Sequence, residues 1–308
     1  MRGDATRKSA RRQPNPFQRI PSRSSRTAVQ RRAFRAQIAV QALLAVLGIA
    51  IVAPLLYLVA TAFKTQGQWV TDPLLLIPKP FTGKNLGTFL SVVDFPRLMS
   101  NTLVITALSI IGTVCSCAVV AYPLARLQFR GRGIVTLLIL STMMLPAQVL
   151  LIPQYVLFVK MHWIDTFWPL IIPNFFAVNA FIIFFLRQSF RTIPRELEEA
   201  VLVDGGSRLT SFFRVVLPLS RTPLIIAAVL QGVASYNDYF TPLVYLHSPE
   251  RQTMAIAIPL SGSSVPGVTA APIVSMGTLL FVLPVGIVFI FAQRWLTKGV
   301  SLTGSVKG

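Results

Sequence analysis

Long apolar runs alternate with short polar segments along this 308-residue chain. Six runs, 38–63, 98–124, 134–158, 167–186, 219–246 and 273–291, reach or exceed the roughly 20 residues that a helix needs to cross a bilayer. Hydrocarbon offers no water to backbone groups, so each run is predicted to be a helix. Prolines interrupt several of them: Pro146 and Pro153 in the third, Pro169 and Pro173 in the fourth, Pro223 and Pro242 in the fifth, Pro284 in the sixth. Each removes a backbone donor and favours a kink. Such breaks fit irregular packing, or a pathway whose lining satisfies the freed groups.

The polar segment between the fourth and fifth runs, 193–224, has its own pattern. Pro194 suits the first turn of a helix, and Glu196, Glu198 and Glu199 follow where the helix dipole favours negative charge. Leu197, Ala200, Val201 and Asp204 share one side at helical spacing. Gly205 and Gly206 are predicted to end this helix with a left-handed cap. A second helix over 207–217 exposes Arg208 and Arg214 and buries Leu209, Phe212, Phe213 and Val216, and Pro218 marks the entry into the fifth run. On these residues alone, the segment is an amphipathic element lying at the membrane interface or a two-part docking element.

Composition supports the membrane reading. Hydrophobic residues make up 53% of the chain and charged residues 13%, with a mean hydropathy of +0.64. A soluble domain carries about twice that charge. We therefore read an all-α integral membrane protein with six transmembrane helices, forming one membrane domain and not a globular enzyme.

Charge orients the chain. The first 35 residues hold 11 Lys or Arg. If that end is inside, most basic residues fall on the inner segments 1–37, 125–133, 187–218 and 292–308. The outer segments keep Lys64, Lys79, Lys84, Arg97, Lys160 and Arg251. This is the positive-inside asymmetry, and it places both termini and the 193–224 segment in the cytoplasm. The net charge of +19 reports topology and an anionic lipid surface, and calls for no nucleic-acid partner. The basic tail 1–35 is expected to be disordered, and 36–308 to form the membrane domain. The first apolar run is longer than the h-region of a cleavable signal, so it is expected to stay as a span.

Little in the chain carries reaction chemistry. Cys115 and Cys117 are two apart on a predicted helix and point in different directions. His162 and His247 fall near outer loops without ligand spacing. No zinc pattern, P-loop or nucleophile elbow occurs, so no catalytic and no metal-binding residue is expected.

Glu199-Ala200-Val201, then Asp204-Gly205, then Phe213 and Leu217-Pro218-Leu219, resemble the EAA loop of ABC importer permeases. Val201 stands where that pattern has a second Ala, and Gly206 where it has an Ala after Asp-Gly. The resemblance extends over 36–308. It includes Ser100-Asn101-Thr102-Leu103, Ala121-Tyr122-Pro123-Leu124-Ala125-Arg126, Met144-Leu145-Pro146, Ile152-Pro153-Gln154-Tyr155, Tyr236-Asn237-Asp238-Tyr239-Phe240, Gln293-Arg294-Trp295 and the ending Gly304-Ser305-Val306-Lys307-Gly308. Together these are similar to the carbohydrate-uptake branch, and within it to the MalG-like permease subunits of maltose-type transporters.

The resemblance implies a type I ABC importer permease fold in a bacterial plasma membrane, with a cytoplasmic coupling helix. Glu196, Glu199, Ala200, Asp204, Gly205, Gly206, Phe213 and Pro218 would form the ATPase-coupling segment, Glu199 pairing with a basic group and Gly205 supplying the turn. Val306, Lys307 and Gly308 would reach towards the ATPase subunits. The implied partners are a second homologous permease subunit, two ATPase subunits that use ATP and Mg, an extracytoplasmic sugar-binding protein and the lipid bilayer. This chain itself would bind no cofactor and would form half of the path for a sugar. The loop 247–271 would probe the binding protein or simply link two spans. Intramembrane polar groups are costly and often functional; Asn101, Gln148, Asn179, Gln231, Tyr236, Asn237 and Asp238, with the ring of Tyr239, are the candidate substrate path. Interhelical polar contacts would produce the same set. Alternatives are a permease for glycerol phosphate, a polyamine or an oxyanion, or a secondary transporter, which usually needs ionisable groups at mid-bilayer.

Overall fold

The computed structural model describes residues 23–262 and 270–304. The chain divides into two units, 1–56 and 57–308. Helix α1 (Arg23–Ala62) supplies all the described structure of the first unit and ends in the second. Within the expected tail, residues 23–35 are helical, being rich in Arg with no Gly or Pro to break a helix. Residues 1–22 lie outside the described residues.

The second unit continues with α2 (Gln66–Thr71), α3 (Lys84–Val92) and α4 (Phe95–Arg126). Then come α5 (Arg132–Thr142), α6 (Ala147–Lys160), α7 (Trp168–Ile171) and α8 (Ala180–Arg191). Next are α9 (Glu196–Val203), α10 (Arg208–Ser211), α11 (Leu217–Leu219) and α12 (Arg221–Tyr236). The chain ends with α13 (Phe240–Tyr245), α14 (Met254–Ser261) and α15 (Ala270–Gly304). No strand occurs among the described residues.

Helix α4 is the axis of the unit. Asp94 caps it, accepting from the Arg97 backbone N–H at 3.3 Å, and Pro96 occupies the first turn, where no donor is lost. Leu98, Thr102, Ile105, Ser109 and Gly112 are buried at spacings of three and four, the stripe of a helix that packs on one side. Three cores form along it. One joins Cys117, Tyr122 and Ala125 to Leu186 and Phe190 of α8 and to Phe212, Val216 and Ala227. A second joins Leu98 and Met99 to Phe89, Tyr236, Met254 and Ile273. A third joins Ile105 to Phe158, Ile171 and Tyr245.

Among the described residues, four helices are long and apolar enough to span a membrane, Gln37–Ala62, Phe95–Arg126, Trp168–Arg191 and Ala271–Phe291, and the bent pair Arg208–Leu219 with Arg221–Tyr236 is a fifth candidate. The third and fifth expected spans are not single straight helices. The third is two shorter helices, α5 and α6, separated at Pro146, which biases the residue before it away from helix. The fifth is not one rod from 219 to 246. The run Arg208–Leu219 meets Arg221–Tyr236 at 76°, and the chain breaks again before α13. A π-helical turn, Phe212–Val216, precedes this bend, and Pro218 and Pro223 flank it. The fourth span is itself broken by a 3-10 segment, Ile172–Phe176; Ala177 then takes φ +53° and Asn179 caps α8 by accepting from Ile182 N–H at 3.2 Å. The loop 247–271 is less irregular than its Gly, Ser and Pro suggest, since 254–261 is helical with Met254, Ile256 and Ile258 buried. Residues 263–269 lie outside the described residues.

At the end of the unit away from the 193–224 segment, two loops are tied together. The Asp165 carboxylate accepts from the backbone N–H groups of His247 and Ser248, each at 2.9 Å, and from the Ser248 hydroxyl, and it lies 3.6 Å from the Arg251 guanidinium as an ion pair. Burial pushes its carboxyl up, but the Ser248 and His247 hydrogen bonds and the Arg251 charge prevail and hold it below the ordinary 3.8. A carboxylate stabilised in this way strengthens the fold above its unfolded-state pKa and loses that contribution as pH falls through the folded value. The thermal midpoint of wild type should therefore exceed that of Asp165→Asn at neutral pH. The gap should close as pH falls below about 4; a gap independent of pH would refute the role of the charge.

Candidate functional site

Two places combine polar groups in ways that core packing alone does not require. The first is the turn between α9 and α10. Helix α9 ends in a Schellman arrangement: Gly206 N–H donates to Val201 O at 2.8 Å and Gly205 N–H to Leu202 O at 3.1 Å, with Gly205 at φ +81°. Ser207 then caps α10 through a reciprocal box with Thr210. A Cβ at Gly206 would stand 2.6 Å from Val201 Cγ1 and 2.7 Å from Val201 O. The two departures from the EAA-type pattern are thus in contact, a larger side chain at 201 and none at 206.

Glu198 is the buried acid of this turn. Its Oε1 lies 2.8 Å from Arg126 Nε at the end of α4, with both side chains 4% exposed. The Nε–H is not aligned as a hydrogen bond, so this contact is Coulombic; Arg126 Nη2 donates instead to Ile193 O at 2.5 Å. The hydroxyl of Tyr122 lies 3.1 Å from Glu198 Oε2 and 3.1 Å from Arg208 O, and Ser211 donates to Glu198 Oε2 at 3.2 Å. Removing one partner of such a pair strands a buried charge and costs about 3–5 kcal/mol. Beside the pair opens a cavity of about 470 Å³, lined by residues including Arg195, Glu199, Arg208 and Phe129.

The second place is a cavity of about 650 Å³ among α4, α6, α8, α12 and α13, lined among others by Ser109, Thr142, Gln154, Asn174, Asn179, Gln231, Ser235, Asp238 and Thr241. Its amides form a chain. Asn179 donates to Gln231 Oε1 at 3.2 Å, Gln231 to Asn174 Oδ1 at 3.4 Å, and Asn174 to Leu170 O at 2.8 Å. The break at Pro173 brings Asn174 inward, so this polar row runs from the irregular part of the Trp168–Arg191 span to Gln231 of α12. Thr253 also lines the cavity, buried, with its hydroxyl unpartnered. Among the described residues, Asp238 is the only acidic side chain of the lining, and no Lys or Arg contributes to it.

The expected site residues distribute unevenly. Glu196, Glu199, Ala200, Asp204 and Gly205 are exposed on the turn, while Gly206 and Pro218 are half-buried. Of the four residues expected to be buried, Phe213 and Leu209 are 61% and 67% exposed, while Phe212 and Val216, on the π turn, are buried. The helix begins at Glu196, leaving Pro194 ahead of its first turn. In the expected path, Asp238, Asn179 and Gln231 line the cavity. The others do not. Asn101 donates to Glu250 O and Gln252 O, tying loops together. Tyr236 is buried, donating to Phe281 O at 2.8 Å and stacking on that ring. Asn237 donates back to Val233 O, Gln148 is exposed, and Tyr239 packs edge-on to Phe240. Asn174 and Gln154 were missed; the Pro-Asn pair at 173–174 inside an apolar run was the available signal. Val306, Lys307 and Gly308 lie outside the described residues.

Known proteins match this geometry. The arabinooligosaccharides transport system permease protein AraQ of Halalkalibacterium halodurans is 31% identical over 83% of this chain and 91% of its own. The trehalose/maltose transport system permease protein MalG of Thermococcus litoralis is 25% identical over 83% and 91%. In solved structures, the fold resembles a chain of a bacterial ABC transporter involved in the import of the acidic polysaccharide alginate, with a TM-score of 0.75, 22% identity and coverage of 91% of this chain and 99% of that one. The family described as binding-protein-dependent transport system inner membrane component matches residues 115–302. With its helical spans, polar-lined cavity and glycine-turned segment, this chain belongs to that family of inner membrane transport components.

Proposed function

We propose that this chain is one of two membrane subunits of an ATP-driven importer for an uncharged sugar, forming half of the path. The observation that carries the cargo class is the lining of the larger cavity: amides and hydroxyls, one carboxylate and no basic group. Polyhydroxy ligands are recognised by such acceptors and donors in a partly apolar pocket. An acidic sugar or an oxyanion would be repelled by Asp238. The relatives named for arabinooligosaccharides and for trehalose/maltose support a sugar.

In this reading the 193–224 turn faces the cytoplasm, with both chain ends on the same side, as the basic segments favour. The exposed Glu199, Asp204 and Phe213 meet an ATPase subunit there, two such subunits supply ATP and Mg chemistry, and a second permease subunit completes the path. A binding protein delivers the sugar at the opposite face. Residues 36–308 are the transporting domain.

The experiment is uptake of labelled sugars by the assembled transporter in proteoliposomes, with Asp238→Asn as the probe. Asn keeps an oxygen for the cap on Thr241 N–H but loses a charged acceptor, so uptake of the neutral cargo should fall about tenfold, the difference between a charged and a neutral hydrogen bond. A wild-type transporter that imports anionic sugars in preference to neutral ones would refute the cargo class, and unchanged neutral uptake by Asp238→Asn would refute the role of its carboxylate.

A further inference from the structure

The coupling segment carries two adjacent glutamates, and only one is available to a partner. Residues one apart on a helix are separated by about 100°; Glu199 is therefore exposed while Glu198 is buried against the end of α4. Helix α4 is not a neighbour of α9 in sequence: 76 residues separate Tyr122 from Glu198. Along the chain, α9 joins α8 through a four-residue link, 192–195, and joins α10 through Gly205 and Gly206. The glycine side is the more compliant of these connections. The direct ties from α9 to α4 are the Arg126–Glu198 ion pair and the Tyr122 hydroxyl; Ser211 brings α10 onto the same carboxylate.

These ties meet at one point and leave through a stiff element. Helix α4 runs from Arg126 to Ser109 on the cavity wall, a distance of about 25 Å at the rise of an α-helix. It continues to Ile105 and Thr102, which line the same cavity. Arg187 of α8 also donates to Leu124 O at 3.1 Å, so the α4 end is held from two sides. A displacement of α9 cannot leave the α4 end in place without separating two buried charges.

We propose that the Arg126–Glu198 ion pair is a positioning strut that passes displacement of the 193–224 turn to α4, and through α4 to the polar cavity. This rests on the importer reading above. Glu199 and its exposed neighbours receive the movement; Glu198, with Arg126, Tyr122 and Ser211, converts it to a shift of a span. The pair is the element whose geometry both sites share.

The test uses the complete transporter, this chain with its membrane partner and ATPase subunits, in proteoliposomes. Arg126→Ala/Glu198→Ala removes the contact without leaving a lone buried charge. We expect the ATPase subunits still to co-purify and ATP hydrolysis to continue, while sugar moved per ATP falls about tenfold, the scale of coupling carried by such networks. Sugar moved per ATP within about twofold of wild type would overturn the strut. If the double variant fails to assemble, Arg126→Met/Glu198→Gln decides. It keeps both shapes and an oxygen for Tyr122 and Ser211 and leaves no lone buried charge, so the same ratio should fall, and an unchanged ratio would overturn the proposal. A separate failure is distinguishable: a wild-type chain that recruits no ATPase subunit and moves no sugar would strike the importer reading itself.

Discussion

Gly277→Leu should destabilise this protein by about 2–3 kcal/mol, the cost of overfilling a packed core. Gly277 lies on α15 where that helix meets α3. A Cβ there would press into the Phe89 ring, 2.8 Å from Cζ, and Phe89 is fully buried. The ring cannot retreat, because Leu98, Met254 and Ile273 surround it in the same core. The measurement is thermal unfolding of the purified chain in detergent, with Phe89→Ala as the second arm. The small residue at 89 makes room for the leucine, so the double variant should be more stable than the sum of the singles by about 1–2 kcal/mol. Strict additivity would show that the two positions do not touch.

Gly205→Val should abolish most transport while leaving the chain in the membrane. At φ +81° a β-branched residue is a steric outlier, and the left-handed conformation costs an L-residue about 1–2 kcal/mol. The chain relieves this by unwinding the end of α9, which breaks the paired Gly205 and Gly206 hydrogen bonds and releases Glu199 and Asp204 from their places. The spans do not depend on this turn, so expression and insertion should match wild type. Substitutions should rank by their tolerance of positive φ, with Asn retaining more uptake than Ala, and Ala more than Val. Equal uptake by the Asn and Val variants would show that the turn geometry is not what matters at 205.

These two glycines differ in how far the sequence revealed them. The role of Gly205 was legible: a helix with acidic first turn, a Gly pair and a new capping residue is a local pattern, and the left-handed φ follows from it. Gly277 was one small residue in an apolar run. Its importance comes from Phe89, far away along the chain, and no periodicity announces that meeting. The spans show the same division. Phe95–Arg126 and Trp168–Arg191 were visible as apolar runs, because transfer into hydrocarbon depends on composition summed along a helix. The third and fifth runs were equally apolar but are divided and bent, because Pro146 and Pro218 act on backbone geometry, which composition does not weigh.

The polar path separates the two levels further. Asn101, Tyr236 and Asn237 have the chemistry of a sugar site and spend it on Glu250 O, Phe281 O and Val233 O. Asn174 is brought into the cavity by a break in its span. Side-chain type limits what a group can bond; the neighbouring element determines whether that capacity is already used.

The sequence by itself determined the helical membrane class, the charge asymmetry, the glycine turn and the family resemblance. Each is a property of residues close together in the chain, or of sums over them. The tertiary structure alone decided that Glu198 and not Glu199 faces inward, that Arg126 meets it, and which amides share a cavity. Those outcomes depend on α4 and α9 packing against each other, and the cost of a buried charge makes that packing selective: the carboxylate that enters the buried contact must be the one that meets a guanidinium.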